Sequence, residues 1–222
     1  MTSKRPLGLP FVRLILIAGI AGILAGAVAV YVTNTGSGNA AGALFEASSG
    51  TCEGSVETVK AVSRFAKGEV AAMVPAQPPR PLELNFKGPA GQNMTTADLS
   101  GKTVLLNLWA TWCGPCRQEM PALNALQKEM GGPGFEVVAV NIDTGGDEKP
   151  KAFMAEYGID GLGYYRDSSM GVFNKLKKEG LAFGLPVTLV IDGKGCLISA
   201  MNGPAAWDSA DGKALIMAAK GS

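Results

Sequence analysis

Apolar and polar positions divide this chain into two parts. From Phe11 to Val32 the only charge is Arg13, and Leu14 to Val32 carries none. At about 1.5 Å of rise per residue, a helix of that length crosses a hydrocarbon layer of about 30 Å. The pattern predicts a transmembrane anchor over residues 11–32, with residues 1–10 as a cytoplasmic terminus. Lys4, Arg5 and Arg13 lie on its N-terminal side while the next basic residue is Lys60, so the positive-inside rule puts everything after Val32 across the membrane. Ala41-Gly42-Ala43 has the form of a signal-peptide cleavage site, but the apolar run exceeds the roughly 7–15 residues of a signal core, which favours an uncleaved anchor. The small, polar stretch Asn34 to Gly42 predicts a flexible tether over 33–43 and leaves 44–222 as one globular domain.

Within that domain the period changes repeatedly. Val56, Val59, Val62, Phe65 and Ala66 recur at helical spacing inside Ser55 to Val74, predicting an amphipathic helix that Pro75 and Pro78-Pro79-Arg80-Pro81 end in favour of an extended segment. Leu82 to Phe86 followed by Gly88-Pro89 and Gly91 reads as an antiparallel hairpin arm. Thr103 to Trp109 is an unbroken apolar run fit for a strand buried on both faces, and Phe135 to Ile142 is a second. Between them Cys116 to Met130 reads as a helix stopped by Gly131-Gly132-Pro133, and two more helices fall near Asp147 to Tyr157 and Met170 to Lys178. Pro186 to Ile191, the turn Asp192 to Gly195 and Cys196 to Met201 form a hairpin, and Trp207 to Lys220 a closing helix. Strands alternating with helices predict an α/β fold in which helices flank a central sheet.

Charge and composition narrow the chemistry. The 222 residues carry a net charge of +1, with no basic stripe in the soluble part, so no nucleic-acid partner is expected. There is no histidine, which removes the usual general base, the commonest metal ligand and every Ser-His or Cys-His dyad. What remains is sulfur. Trp112-Cys113-Gly114-Pro115-Cys116 sets two thiols where a buried strand gives way to a helix. That spacing closes a short disulfide, and the following helix N-terminus favours thiolate at the first sulfur, so Cys113 reads as the attacking nucleophile. Gly114 and Pro115 suit the turn and the first helical turn. A CxxC can also be half of a zinc site, but the chain has no second closely spaced Cys or His pair; no metal and no cofactor beyond the dithiol are expected.

The strand and helix order around Leu106-Asn107-Leu108-Trp109-Ala110-Thr111-Trp112-Cys113-Gly114-Pro115-Cys116-Arg117-Gln118-Glu119-Met120-Pro121 resembles the thioredoxin superfamily. Within it the signature is similar to the membrane-anchored TlpA/ResA-like thiol:disulfide oxidoreductases, closest to the TlpA type, over about Leu82 to Lys220. The resemblance implies a thioredoxin-like fold with a central mixed sheet, to which the apolar run and the helical spacing above add an N-terminal transmembrane helix and an extra N-terminal helix. It implies that Cys113 attacks a disulfide, that Cys116 resolves the mixed disulfide, and that Trp112 shields the turn and offers a surface to partners. It makes Pro121 the helix-kinking proline and Leu185-Pro186 a cis-proline loop facing the disulfide; the alternative is an ordinary trans proline opening a strand.

Thioredoxin has a buried aspartate six residues before its first cysteine, where this chain has Asn107. Proton transfer at Cys116 must then go elsewhere. Glu119 is the nearest acid, read either as a proton acceptor through water or as a helix charge paired with Arg117 or another base. Cys52 and Cys196 are read as a structural disulfide, since leftover cysteines beyond the membrane usually pair, whereas in a cytosolic chain they would be unpaired core residues.

The resulting expectation is a monomeric, single-pass protein of a bacterial inner membrane, with its catalytic domain in the periplasm. It would reduce cysteine pairs in clients of respiratory cytochrome assembly, either the copper centre of cytochrome oxidase or cytochrome c. Its electrons would come from a transmembrane donor of the DsbD or CcdA type. The alternatives are a thioredoxin-fold copper metallochaperone, which typically needs CxxxC and a histidine, and a non-enzymatic binding module, which often lacks an active-site cysteine.

Overall fold

The computed structural model describes residues 52–221. The predicted cytoplasmic terminus, anchor and tether, and the first residues of the domain from 44, lie outside the described residues. Among the described residues no helix is long and apolar enough to cross a membrane.

Eight strands form one mixed sheet: β1 (Val74–Pro81), β2 (Asn85–Lys87), β3 (Asn93–Thr95), β4 (Thr103–Trp109), β5 (Phe135–Asn141), β6 (Tyr165–Arg166), β7 (Val187–Ile191) and β8 (Cys196–Asn202), in the spatial order β1-β8-β7-β4-β5-β6-β2-β3. The helices are α1 (Val56–Phe65), α2 (Gly114–Met130), α3 (Glu148–Glu156), α4 (Gly171–Lys178) and α5 (Ala210–Lys220). β4 is the centre: it runs parallel to β5 and antiparallel to β7, and every one of its residues is buried. A strand covered on both faces needs side chains that are apolar on both, which is why its sequence shows no alternation.

Three helix boundaries and one strand differ from the sequence reading. The first helix stops at Phe65 instead of running to Val74, because Ala66 leaves helical ψ at 76° and Gly68 takes φ +52° as it opens a single 3-10 turn, Gly68–Val70. Glycine is favoured at that turn by its φ, and a Cβ there would also push the Asp211 carboxylate of α5 aside. Helix α2 begins at Gly114, two residues earlier than expected, with Cys113 as its N-cap. The closing helix begins at Ala210, where the Ser209 side chain accepts from the Gly212 N–H at 3.1 Å, and Trp207 precedes it as a fully buried loop residue. The short strand β6 was not expected at all; two residues are too few for a period to show.

β1 is an edge strand containing Pro75, Pro78, Pro79 and Pro81, residues that cannot donate to a ladder and therefore sit at sheet edges. Helix α1 buries Val59 and Val62 against β1, β8 and α5. A disulfide joins Cys52, just ahead of α1, to Cys196 at the start of β8, with Cα atoms 5.8 Å apart and both residues buried. The Ser55 hydroxyl donates to Asp192 in the turn before β8, a second link between the same two segments.

Candidate redox site

The site is built where β4 ends. After Trp109 the chain turns through Ala110 to Trp112 and enters α2 at Gly114. The Asp143 carboxylate, beyond the end of β5, accepts from the Thr111 backbone N–H and from the Thr111 hydroxyl, each at 3.0 Å. It also accepts from Asn141 Nδ2 at 2.7 Å, so the ends of the two central strands are tied together.

Cys113 and Cys116 form a disulfide with Cα atoms 5.3 Å apart. Cys113 Sγ accepts from the Cys116 backbone N–H at 3.2 Å, so the sulfur occupies a helix N-cap at the positive end of the macrodipole. Pro115 lies in the first helical turn, where a missing N–H leaves no bond unmade. Cys116 is fully buried, while the neighbouring Trp112 is 65% exposed, a large apolar side chain standing in solvent beside the bond. Pro121 lies inside α2, which continues past it to Met130.

The Leu185–Pro186 peptide is cis, as is Gln77–Pro78 in β1. The register Leu108 to Val187, carried one step further, brings Pro186 level with Trp109 and so to the end of the sheet where the redox turn begins. The Pro186 carbonyl accepts from the Gly203 N–H at 2.9 Å, which holds this loop against the end of β8.

Glu119 is only 3% exposed. One of its oxygens accepts from Asn107 Nδ2 at 2.8 Å; the other accepts from the Ala205 N–H and from Trp207 Nε1, each at 3.2 Å. Burial pushes its carboxyl up to about 7, against the pull of these donors, of which Asn107 is the largest. Three residues after Cys116, it lies on the same side of α2 as that sulfur. It also lines an open cleft of about 340 Å³ with Glu69, Gln118 and Ala205. Arg117 is not its partner. The Arg117 guanidinium lies over the rings of Phe153 and Tyr157, 5.6 and 5.7 Å from their centroids, and donates to the Tyr157 hydroxyl at 3.0 Å.

Asn107, fully buried in β4, also donates to the Thr188 hydroxyl at 2.9 Å, and its Oδ1 accepts no hydrogen bond. Trp207, Ala205, Thr188 and Asp143 were missed from the sequence. They come from loops and strands far apart along the chain, and only the buried acid in the motif could have signalled that donors had to converge on it. Among the described residues no group of three or more His, Cys, Asp or Glu side chains is placed to hold a metal ion.

Comparison with known proteins gives a consistent picture. The Redoxin family model matches residues 75–216. The thioredoxin-like protein YneN of Bacillus subtilis is 34% identical over 140 residues, covering 60% of this chain and 74% of YneN. The thiol-disulfide oxidoreductase ResA of the same organism is 32% identical over 115 residues, covering 51% of this chain and 60% of ResA. A crystal structure from Chlorobium tepidum assigned to thiol:disulfide interchange protein DsbE superposes with a TM-score of 0.54 at 29% identity, covering 63% of this chain and 94% of that one.

Proposed function

The chain belongs to the redoxin family and is a thioredoxin-fold thiol–disulfide oxidoreductase, and from that premise we propose that it is a membrane-tethered periplasmic reductant of protein disulfides. The observation that carries this is the asymmetric Cys113–Cys116 pair, with one sulfur at a helix N-cap and the other buried above a hydrogen-bonded acid.

In the reduced protein the Cys113 thiolate attacks one sulfur of a client disulfide. The client S–S bond breaks, a Cys113–client disulfide forms, and the departing client thiolate takes a proton from solvent. Cys116 then gives its proton to the Glu119 carboxylate, directly or through one water, and attacks Cys113 Sγ. The mixed disulfide breaks, the second client sulfur leaves and is protonated, and the Cys113–Cys116 bond closes. Two electrons and two protons have reached the client. The oxidised pair is returned to dithiol by a transmembrane donor of the DsbD or CcdA type.

Direction is argued from Gly114-Pro115, the dipeptide of thioredoxin, a reductant. Resemblance to the TlpA type supports clients among the proteins of respiratory cytochrome assembly, the copper centre of cytochrome oxidase before cytochrome c. Replacing the resolving sulfur tests the whole reading. Cys116→Ser in native membranes should accumulate mixed disulfides on Cys113 with such clients, identified by mass spectrometry, and Cys113→Ser should accumulate none. Equal yields from both variants, or no adducts from either, would refute it.

A further inference from the structure

In the reaction proposed above Glu119 takes the proton of Cys116, yet each group bonded to its carboxylate is a donor. The Ala205 N–H and Trp207 Nε1 donate to Oε2, and Asn107 Nδ2 donates to Oε1. That setting suits a carboxylate, whereas the O–H of the acid needs an acceptor. A backbone N–H and an indole only donate, so a proton on Oε2 would point at donors that cannot yield. The proton therefore belongs on Oε1, whose partner is an amide that carries an acceptor as well as a donor. Among the described residues Glu69 is the other charged side chain lining the cleft. On α2 the titratable neighbour is Cys116, Arg117 is turned onto Phe153 and Tyr157, and the groups reaching Glu119 from β4 and from the loop before α5 are neutral.

Asn107 holds the missing acceptor. Its Oδ1 is buried and accepts no hydrogen bond, an exception to the rule that buried polar groups are paired. Amide oxygen and nitrogen are nearly the same size, so a half-turn about the Cβ–Cγ bond exchanges them without reshaping the core around this fully buried side chain. Nδ2 now donates to two groups, Glu119 Oε1 at 2.8 Å and the Thr188 hydroxyl at 2.9 Å. After the half-turn Oδ1 stands between the same two and accepts from both, because a hydroxyl donates as readily as it accepts. Two bonds are exchanged for two. The turned amide leaves an NH2 unpaired in place of one carbonyl oxygen, and buried N–H groups are the rarer orphans, so it is held only while the acid carries its proton.

We propose that Asn107 is a positioning residue for proton transfer: it donates to Oε1 of the Glu119 carboxylate, and turns its amide to accept from Oε1–H once Cys116 has given up its proton. The proposal rests on the reading of Glu119 as proton acceptor and adds where the proton sits and what holds it there. The Cys116 S–H bond breaks, an Oε1–H bond forms, and the sulfur keeps the electron pair with which it attacks Cys113 Sγ. Loss of the proton to water turns the amide back.

The test is NMR of the reduced full-length chain in detergent, labelled at asparagine, glutamate and threonine, across a pH titration. The Glu119 carboxyl carbon should titrate with a midpoint of about 7. Above the midpoint the Asn107 Nδ2 protons should give cross-peaks to Thr188 Hβ, which donation to the hydroxyl places close by; below it these should fade. Base-catalysed exchange with water would weaken them in the opposite direction. If Glu119 titrates while the cross-peaks persist at low pH, the amide has not turned and water holds the O–H; the proposal then falls and Glu119 remains the acceptor. If Glu119 does not titrate, the acceptor reading and the proposal fall together, and the trapping of clients on Cys116→Ser still reads the reductase separately. Asn107→Leu gives a second measurement. A residue that only donates to the carboxylate would, when lost, raise the midpoint by about one to two pH units, and that result overturns the proposal. Loss of a residue that serves both forms should raise it by no more than about half a pH unit. If Asn107→Leu does not fold, which a melting curve checks, the wild-type cross-peaks decide alone.

Discussion

The two disulfides of this protein are the same bond in opposite settings. Cys52–Cys196 spans 144 residues and joins the start of α1 to an inner strand; Cys113–Cys116 spans three and closes a turn at the sheet's end. Chain entropy makes the difference quantitative. Closing the long loop removes enough freedom from the unfolded chain to stabilise the fold by about 5 kcal/mol, whereas the short one is worth about 2 kcal/mol. The environments differ in the same sense. Around Cys52 and Cys196 lie core side chains and the Ser55–Asp192 link. Around Cys113 and Cys116 lie an exposed tryptophan, a helix N-terminus and a buried acid. A sulfur pair meant to open and close has to be cheap to open, and of the two pairs among the described residues the short loop is the cheaper; the acid proposed as its proton partner, Glu119, lies on α2 with Cys116.

The strongest way to break that comparison is to remove the long bridge. In Cys52→Ser/Cys196→Ser we expect a loss of about 2–5 kcal/mol, read as a fall of about 2–4 °C in Tm per kcal/mol, with disulfide exchange retained below the new melting point. Graded reduction of the wild type should open Cys113–Cys116 first. Loss of exchange in a still-folded double variant would show that the two bonds are not independent.

Next comes the acid. The Glu119 carboxyl, raised by burial to about 7, binds protons that the unfolded chain releases near its ordinary 4.5. Its contribution to stability is therefore full below about pH 4.5 and is lost as pH rises through about 7, so wild-type stability should decline across that window. The Gln variant should lack this decline, which amounts to about 3 kcal/mol at most. For exchange the sign reverses. Only the carboxylate accepts a proton, so resolution of the mixed disulfide by Cys116 should slow as pH falls below about 7. Glu119→Gln should lose that limb of the profile, measured by stopped-flow decay of a trapped mixed disulfide. An unchanged limb would assign the acid to structure alone.

Why some of this was legible in the sequence and some was not follows from how each part is encoded. β4 announces itself because a strand covered on both faces must be continuously apolar, and the Trp112 to Cys116 turn because two thiols and a helix start are all local. The end of α1 was misplaced because the apolar spacing continues to Ala66 while Gly68 in left-handed backbone ends the helix. Trp207 was read as the first residue of a helix. Its indole instead reaches Glu119, a contact set by the fold of the loop before α5 and not by any period. Glu119 itself was visible, but whether it met Arg117 or the core depended on Phe153 and Tyr157, whose ring faces take the guanidinium.

The smallest effect is expected from Thr188, and it tests how far the redox network reaches. Its hydroxyl accepts one Asn107 N–H while Glu119 accepts the other, and Thr188 stands two residues beyond Pro186 on β7. Thr188→Val keeps the shape and removes the acceptor, leaving a fully buried amide proton unpaired. That should cost about 1–2 kcal/mol in chemical denaturation. The N–H that Asn107 gives Glu119 is untouched, so the pH limb near 7 should stay where it is. A limb that shifts upward would mean that Asn107 has turned its amide away from the acid, and that Thr188 positions it. In that case the strand behind the cis-proline loop tunes proton transfer at Cys116, and the redox half of the molecule extends through β4 into β7.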